Sequence, residues 1–318
     1  MAEKIDIIDI IVANPAGNTT VLVLTPVPVE RYQEIAHALL AIDFKADYSE
    51  AFADGEAFGE DIYRKEIKAE QVGFCLQETV GGLPAMNMSG LEFCGNAARA
   101  FAWLKANEAD PHLKKISVMI SGCDRPLMAE IDTESKTSKI QMPLPKIGWV
   151  YDKGILIYMD GISHLVVKDM EPTLETFNGI KAKFYPEDRS GRTDQDVPTA
   201  ATQSNMDFVG NFPAFGVMFL DTKTRTMTPV VYVHDINTTY FEGSCASGTT
   251  AASFAAAMDL PDGIHKMTFR QPAGTLYSEV TKVSGEITEI KLSGRIEFSD
   301  VMTVDLRQKP GAADRSAQ

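Results

Sequence analysis

Cys94-Gly95-Asn96-Ala97-Ala98-Arg99 opens an alanine-rich run that continues to Asn107, with Phe101 and Leu104 spaced for a buried helix. In the second half of the chain Cys245-Ala246-Ser247-Gly248-Thr249-Thr250 opens another run, reaching Met258 with Phe254 inside it. A helix lined with alanine can be wrapped closely by a sheet, because no bulky side chain holds the two backbones apart. Two such helices, each begun by a cysteine, imply two halves built on one plan.

The segments around them read as short strands. Ile5–Val12 and Thr20–Thr25 look like the arms of a hairpin turning at Asn14-Pro15-Ala16-Gly17-Asn18. Val29 to Ala41 has helical spacing, with Tyr32, Ile35, Leu39 and Leu40 on one face. Strands are expected at Val72–Gln77, Ile116–Ile120, Leu127–Ile131 and Lys139–Pro143 in the first half. The second half has them at Ile155–Met159, Leu165–Val167, Phe208–Asn211, Gly216–Leu220, Val230–Val233, Lys266–Arg270, Leu276–Val280, Ile287–Leu292 and Val301–Leu306. The fold class expected is α+β: two similar domains, each a curved, mostly antiparallel sheet wrapped around a central helix. Met142 to Gly148 is the expected crossover. The first domain then covers 1–145, completed by a C-terminal strand at about 298–307; the second covers 146–297, and 308–318 is a flexible tail.

The chain has 318 residues, 44% hydrophobic and 23% charged, a length that suits two domains better than one. A net charge of −14 argues against nucleic acid or an anionic membrane as partner. No stretch approaches the roughly 18 consecutive apolar residues that a membrane span needs. The N-terminus lacks the basic start of a signal peptide, so a cytoplasmic location is the default. The four cysteines, at 75, 94, 123 and 245, form no disulfide framework and no CxxC pair, and the five histidines are scattered. No metal site and no cofactor are therefore expected.

What the two cysteine motifs can do follows from their place at a helix start, where free N–H groups and the positive end of the helix dipole point outward. A thiolate there is stabilised, so its pKa can fall below the ordinary value. A carboxylate also binds there, held by backbone N–H groups such as those of Gly95, Asn96, Ala246 and Ser247. Both are needed to remove a proton α to a carboxylate, because charge accumulates on the carboxylate as the carbanion forms. Inverting that carbon takes a base on one face and an acid on the other, which Cys94 and Cys245 would supply. A lone cysteine on an alanine-rich helix is usually core packing; the matched pair is what favours chemistry. Cys75 and Cys123 have no such setting and read as structural.

At these residues the sequence resembles the diaminopimelate epimerase family, which includes proline racemase relatives and histidine racemases. The family's Cys-Gly-Asn-Gly-Ala-Arg is matched by Cys94 to Arg99 with one glycine changed to alanine. Its Ala-Cys-Gly-Ser/Thr-Gly resembles Ser244-Cys245-Ala246-Ser247-Gly248 more loosely. Gly17-Asn18 looks like the family's early Gly-Asn, and Asn87 falls near a substrate asparagine, two residues closer to the cysteine. Gly161-Ile162-Ser163-His164 resembles Gly-Asn-Pro-His, and Ser204 to Phe208 a later asparagine-bearing strand. The resemblance implies catalysis by Cys94 and Cys245 and substrate contacts from Asn18, Asn87, His164 and Asn205. Departures bear on the substrate: the family's Glu-Arg pair is replaced by Asp235-Ile236-Asn237-Thr238-Thr239-Tyr240, without arginine. That removes a bidentate hold on a second carboxylate. A small-molecule amino acid with one carboxylate, histidine for example, fits better than diaminopimelate. Glu242 could cap the second helix or reach the substrate amine, and His234 could contact substrate. Diaminopimelate epimerase, a non-racemase isomerase of the same fold and a non-enzymatic binding protein are the competing readings. The oligomeric state is not given by the sequence; a homodimer is one assembly to test for.

Overall fold

The computed structural model describes residues 5–44, 67–151, 154–159, 162–184, 214–233 and 237–307. The chain divides into two compact units: unit 1 is Met1–Ile140 with Gly294–Gln318, and unit 2 is Gln141–Ser293. The sequence reading set these boundaries a few residues later, at 145/146 and 297/298. The second crossing falls inside one continuous strand, so no turn signal marks it. The expected strand at 208–211 and the tail at 308–318 lie outside the described residues.

Unit 1 begins with β1 (Ile7–Pro15) and β2 (Thr20–Val23), an antiparallel hairpin that turns through Ala16 and Gly17 at positive φ. A 3₁₀ turn (Val29–Arg31) leads into α1 (Tyr32–Leu40), and β3 (Asp43–Phe44) pairs with β4 (Ile67–Lys68). Then come β5 (Gln71–Cys75), β6 (Ala85–Met88), α2 (Gly95–Ala109), β7 (Lys115–Ile120), β8 (Leu127–Asp132) and β9 (Thr137–Gln141). Unit 2 runs through β10 (Lys146–Tyr151), β11 (Gly154–Met159), β12 (Ile162–Lys168), α3 (Leu174–Phe184), β13 (Ala214–Asp221), β14 (Thr226–Val233), β15 (Thr238–Phe241), α4 (Ala246–Ala257), β16 (Gly263–Gln271) and β17 (Gly274–Val283). β18 (Glu286–Phe298) carries the chain back, and β19 (Met302–Asp305) pairs with the first half of β1.

One connection pattern is used twice. A hairpin, β1–β2 or β11–β12, is followed by a helical crossover to a parallel strand, β5 or β13. An antiparallel neighbour, β6 or β14, then leads through the alanine-rich helix to another parallel strand, β7 or β16, and the unit ends on antiparallel strands. Parallel neighbours need a long crossover, and the helices supply it. Each unit is thus mostly sheet, antiparallel except where a helix intervenes.

In unit 1 the pairings close on themselves in the order β1, β2, β5, β6, β7, β8, β9, β18 and back to β1, an eight-stranded ring. α2 packs inside against β1, β7 and β8. Arg99, fully buried on α2, fastens the seam: Nη1 donates to Gly294 O of β18 (2.8 Å) and Ser138 O of β9 (3.5 Å), and Nη2 to Pro15 O of β1 (3.4 Å). In unit 2, α4 packs against β11, β12, β13, β16 and β17. Small side chains permit this, since Ala251, Ala252 and Ala257 are completely buried.

The opposite sheet faces are covered by α1 and α3. Ile8, Ile10, Val12, Val21, Val23, Val72 and Phe74 meet Tyr32, Ile35 and Leu39 of α1, with Tyr32 stacked on Phe74 at 3.9 Å. Leu156, Leu165, Val167, Phe215, Val217 and Phe219 meet Phe177 of α3, while the alternate residues Ile157, Val166 and Met218 join the α4 core. Burial on both faces explains why β11 to β13 read as unbroken apolar runs. The helix α3 and the strands β3, β4, β6, β10 and β15 are additions to the sequence reading.

Candidate active site

Cys94 is the N-cap of α2, and its Sγ accepts from the Ala97 N–H at 3.4 Å. The preceding loop is held by Ser121, whose Oγ receives Met88 N (2.8 Å) and donates to Glu92 O (2.9 Å). Gly122 packs there so closely, at positive φ, that a side chain would strike the Phe93 backbone. Ser121-Gly122 thus serves as a bed for the cysteine loop. Beside Cys94, Asn18 Oδ1 lies 4.0 Å from Sγ, and Asn18 Nδ2 donates to Glu70 Oε2 at 2.6 Å. Gln71 Nε2 donates to Asn18 Oδ1 (2.6 Å) and Thr20 Oγ1 (2.8 Å), and the Gln71 amide also reaches the sulfur.

Cys245 is the N-cap of α4, and its Sγ accepts from the Gly248 N–H at 3.3 Å. Its own N–H, one of the groups a helix start leaves unpaired, donates to Gln271 Oε1 at 2.8 Å, while Gln271 Nε2 donates to Thr249 Oγ1 at 2.9 Å. Ser247 Oγ stands 3.4 Å from Sγ and 2.9 Å from His164 Nε2. His164 fits because residue 216 is glycine: a Cβ there would run into the imidazole. Glu242 faces the thiol and accepts a hydrogen bond from it.

Burial dominates the electrostatics of both cysteines. Desolvation pushes Cys94 up to about 11 against the N–H groups of Ala97, Gln71 and Asn96, which favour the thiolate. Cys245 is pushed well above the ordinary thiol value by desolvation first and then by Glu242, through charge and hydrogen bond. This corrects the expectation of lowered pKa values: the N-cap contacts are present but do not outweigh loss of water. His164 is held neutral by burial, its pKa lowered to about 3.

The structure gathers Asn18, Gly95 and Asn96 around Cys94, and His164, Ala246 and Ser247 around Cys245. The Asn96 side chain turns back to accept from Arg99 Nη2 at 3.0 Å. Asn87 is not brought to Cys94; it sits opposite Phe74 in β6 and donates to Tyr32 on the α1 side of the sheet. Asn205 and His234 lie outside the described residues. Glu70, Gln71 and Gln271 join the sites without having been singled out in the sequence; each lies at a strand end, where a polar residue carries no periodic signal. Cys75 is buried in β5 with its pKa raised to about 12, and Cys123 Sγ contacts Arg125 O at 3.5 Å. Among the described residues no cluster of His, Cys, Asp or Glu could hold a metal ion, and no helix is long and apolar enough to cross a membrane.

Residues 60–301 match the family model described as the histidine racemase CntK N-terminal domain. The chain belongs to the histidine racemase family. Membership makes it an isomerase of the racemase and epimerase class. A histidine racemase of Fusobacterium nucleatum subsp. nucleatum is 30% identical over 80% of this chain and 83% of its own length. Two solved structures share the fold at low identity. A Bacillus anthracis phenazine biosynthesis protein of the PhzF family has a TM-score of 0.60 and 13% identity, covering 94% of this chain and 99% of its own. A hydroxyproline epimerase from Agrobacterium vitis has a TM-score of 0.58 and 9% identity, covering 94% and 91%.

Proposed function

We propose that this histidine racemase family member inverts the Cα of an amino acid with one carboxylate, histidine being the best candidate, without metal or pyridoxal phosphate. In this reading it is a cytoplasmic enzyme of the diaminopimelate epimerase type. The observation that carries the reading is the equivalence of Cys94 and Cys245. Each caps a small-residue helix at the same step of a repeated connection pattern, with Sγ on the N–H three residues on.

In the proposed reaction one cysteine, as thiolate, takes the Cα proton and becomes a thiol. The C–H electron pair moves into the carboxylate, whose added charge is met by backbone N–H groups of Gly95, Asn96, Ala246 and Ser247 at the helix starts. The second cysteine, as thiol, gives its proton to the opposite face and becomes the thiolate. The product is the mirror-image amino acid, and the two cysteines have exchanged protonation states. A thiol of raised pKa is sparsely ionised at neutral pH, but the thiolate it yields is a stronger base toward a weakly acidic C–H. Asn18 would contact the substrate from the Cys94 side, and His164 would act through Ser247.

The test is α-hydrogen exchange of an L-amino-acid panel in deuterated water, followed by NMR and chiral analysis, on protein treated with chelator. Exchange with inversion on histidine, and little on LL-diaminopimelate, is expected. Cys94→Ser and Cys245→Ser should each lower racemisation by roughly 10²–10⁴-fold, while Cys75→Ser and Cys123→Ser stay active. Near-native turnover in either motif variant, or activity restored only by one specific metal, would sink the proposal.

A further inference from the structure

Gln271 closes β16 at a position where strand alternation calls for an apolar side chain. Phe269, two residues earlier, packs into the α4 core, and Gln271 is buried on the same face. An amide in so dry a place is costly unless both its ends are hydrogen-bonded. Here both ends are spent on the start of α4. Oε1 takes the Cys245 N–H at 2.8 Å, and Nε2 donates to Thr249 Oγ1 at 2.9 Å. The Thr249 hydroxyl, completely buried, in turn donates to Cys245 O at 2.6 Å. A closed ring therefore grips the peptide groups on both sides of Cys245, one directly and one through the threonine. Those two groups fix φ and ψ of Cys245 at −124° and 112°, and with them the direction of its Cα–Cβ bond. A single torsion then sets Sγ on the Gly248 N–H at 3.3 Å. The turn after Gln271 adds to the hold, since Ala273 N donates to Gly243 O at 2.9 Å. In unit 1 the residue that follows the equivalent strand β7 is Ser121, which holds its loop at Met88 and Glu92, short of the cysteine itself.

We propose that Gln271 is a positioning residue for Cys245, its amide and the Thr249 hydroxyl together aiming the sulfur at the substrate Cα. Proton transfer between sulfur and carbon is steep in distance and angle, so a sulfur displaced by about 1 Å loses up to ~10²-fold in rate. The burial of an amide where an apolar residue would pack as well is explained by that task.

This inference rests on the proposed racemase activity, and the experiment separates the two. Racemisation of Cα-deuterated L- and D-histidine is compared with that of the protium forms in wild type, Gln271→Met, Thr249→Val and Thr249→Ser. Methionine keeps the length of glutamine without its hydrogen bonds, and valine keeps the shape of threonine without its hydroxyl. Gln271→Met and Thr249→Val should each lower kcat by about tenfold or more. Because the ring acts as a unit, the two combined should lose little more than either alone. Thr249→Ser, which restores the hydroxyl, should recover most of the loss. The deciding readout is directional. A slower transfer at Cys245 raises the isotope effect in the direction that uses Cys245 as base. In the other direction Cys94 removes the deuterium, and the effect does not rise. A loosened fold would move both directions together. Isotope effects that change alike, or a Gln271→Met kcat close to that of wild type, overturn the inference and leave the racemase reading standing. Should Gln271→Met not fold, equal turnover in Thr249→Val and Thr249→Ser overturns it in the same way. A wild type that racemises neither enantiomer overturns the racemase reading and this inference with it.

Discussion

Cys94 and Cys245 hold equivalent positions in two copies of one connection pattern, yet their sulfurs face different neighbours. Around Cys94 the hydrogen-bonding side chains are amides, Gln71 and Asn18, the Gln71 group favouring the ionised sulfur, while Glu92 opposes ionisation through charge without a hydrogen bond, as the smallest of the influences on it. Around Cys245 stands Glu242, which accepts from the thiol and repels the thiolate. Cys94 keeps some exposure, whereas Cys245 is buried. Repetition has preserved the helix start, which would bind a carboxylate on either side, while the charge beside each sulfur has diverged. In the proposed two-base reaction that divergence would assign roles, with Cys94 the easier to ionise and Cys245 the better held as acid. The two helices differ at their other ends as well, and there the comparison has its largest expected consequence.

The last turn of α4 and the residues just after it give three carbonyls to one buried ammonium. Lys282 Nζ of β17 donates to Ala257 O (3.3 Å), Met258 O (2.6 Å) and Leu260 O (2.8 Å). α2 ends with the Asp110 N–H on Ala106 O and no such lysine, its last turn containing no basic residue. Lys282→Met keeps the apolar stem but strands those carbonyls, and should cost about 2–4 kcal/mol. Lys105→Met, which removes a surface pair of α2 with Glu108, should cost about 0–1 kcal/mol. Urea denaturation followed by circular dichroism reads both. Equal losses would show that the helix ends are not distinguished by this lysine.

The third helical position tests the sulfur contact itself. In α4 it is Gly248, where an added Cβ would collide with the Met218 sulfur and press on Cys245 Sγ; in α2 it is Ala97, fully buried without conflict. Gly248→Ala should therefore destabilise by about 1–3 kcal/mol through overpacking and reduce turnover by displacing the sulfur. Ala97→Gly should cost about 1–2 kcal/mol, from helix propensity and the loss of one buried methyl, with the sulfur contact left in place. Matching losses of activity in the two variants would mean that Met218 yields and the glycine is incidental.

The alanine-rich helices and the hairpin at Ala16-Gly17 were legible in the sequence because composition and turn chemistry act locally. So were the two cysteines as helix caps. The helix α3 was not, since among its described side chains only Phe177 and Ile180 pack inward and Asn178, Gly179 and two lysines dilute its period. The length of β18 was underestimated because Ser293-Gly294 interrupts its apolar run, although that glycine carbonyl is what Arg99 grips. Asn87 was misplaced by sequence proximity: strand alternation turns it to the α1 face, with Phe74 and Tyr32. The cysteine pKa direction failed for a reason of magnitude. Helix-start contacts can be read from a motif, but the water excluded from a sulfur depends on the whole unit around it.

The smallest expected effect is the most direct comparison of the two sulfurs. Alkylation by iodoacetamide follows the thiolate fraction. At pH 8 both cysteines lie below their raised pKa values, so each rate should climb about tenfold per pH unit, and the ratio should stay constant until Cys94 approaches about 11. Cys94 should be modified at least tenfold faster than Cys245, because Glu242 opposes ionisation of Cys245 and no carboxylate bonds to Cys94 among the described contacts. Glu242→Gln removes the negative charge but keeps the shape, so it should accelerate Cys245 selectively and leave Cys94 unchanged. Peptide mapping by mass spectrometry after timed quenching gives both rates in one sample. If the ratio persists in Glu242→Gln, then access to the buried Cys245, and not the neighbouring carboxylate, separates the two thiols. The division of acid and base between them would then need another source.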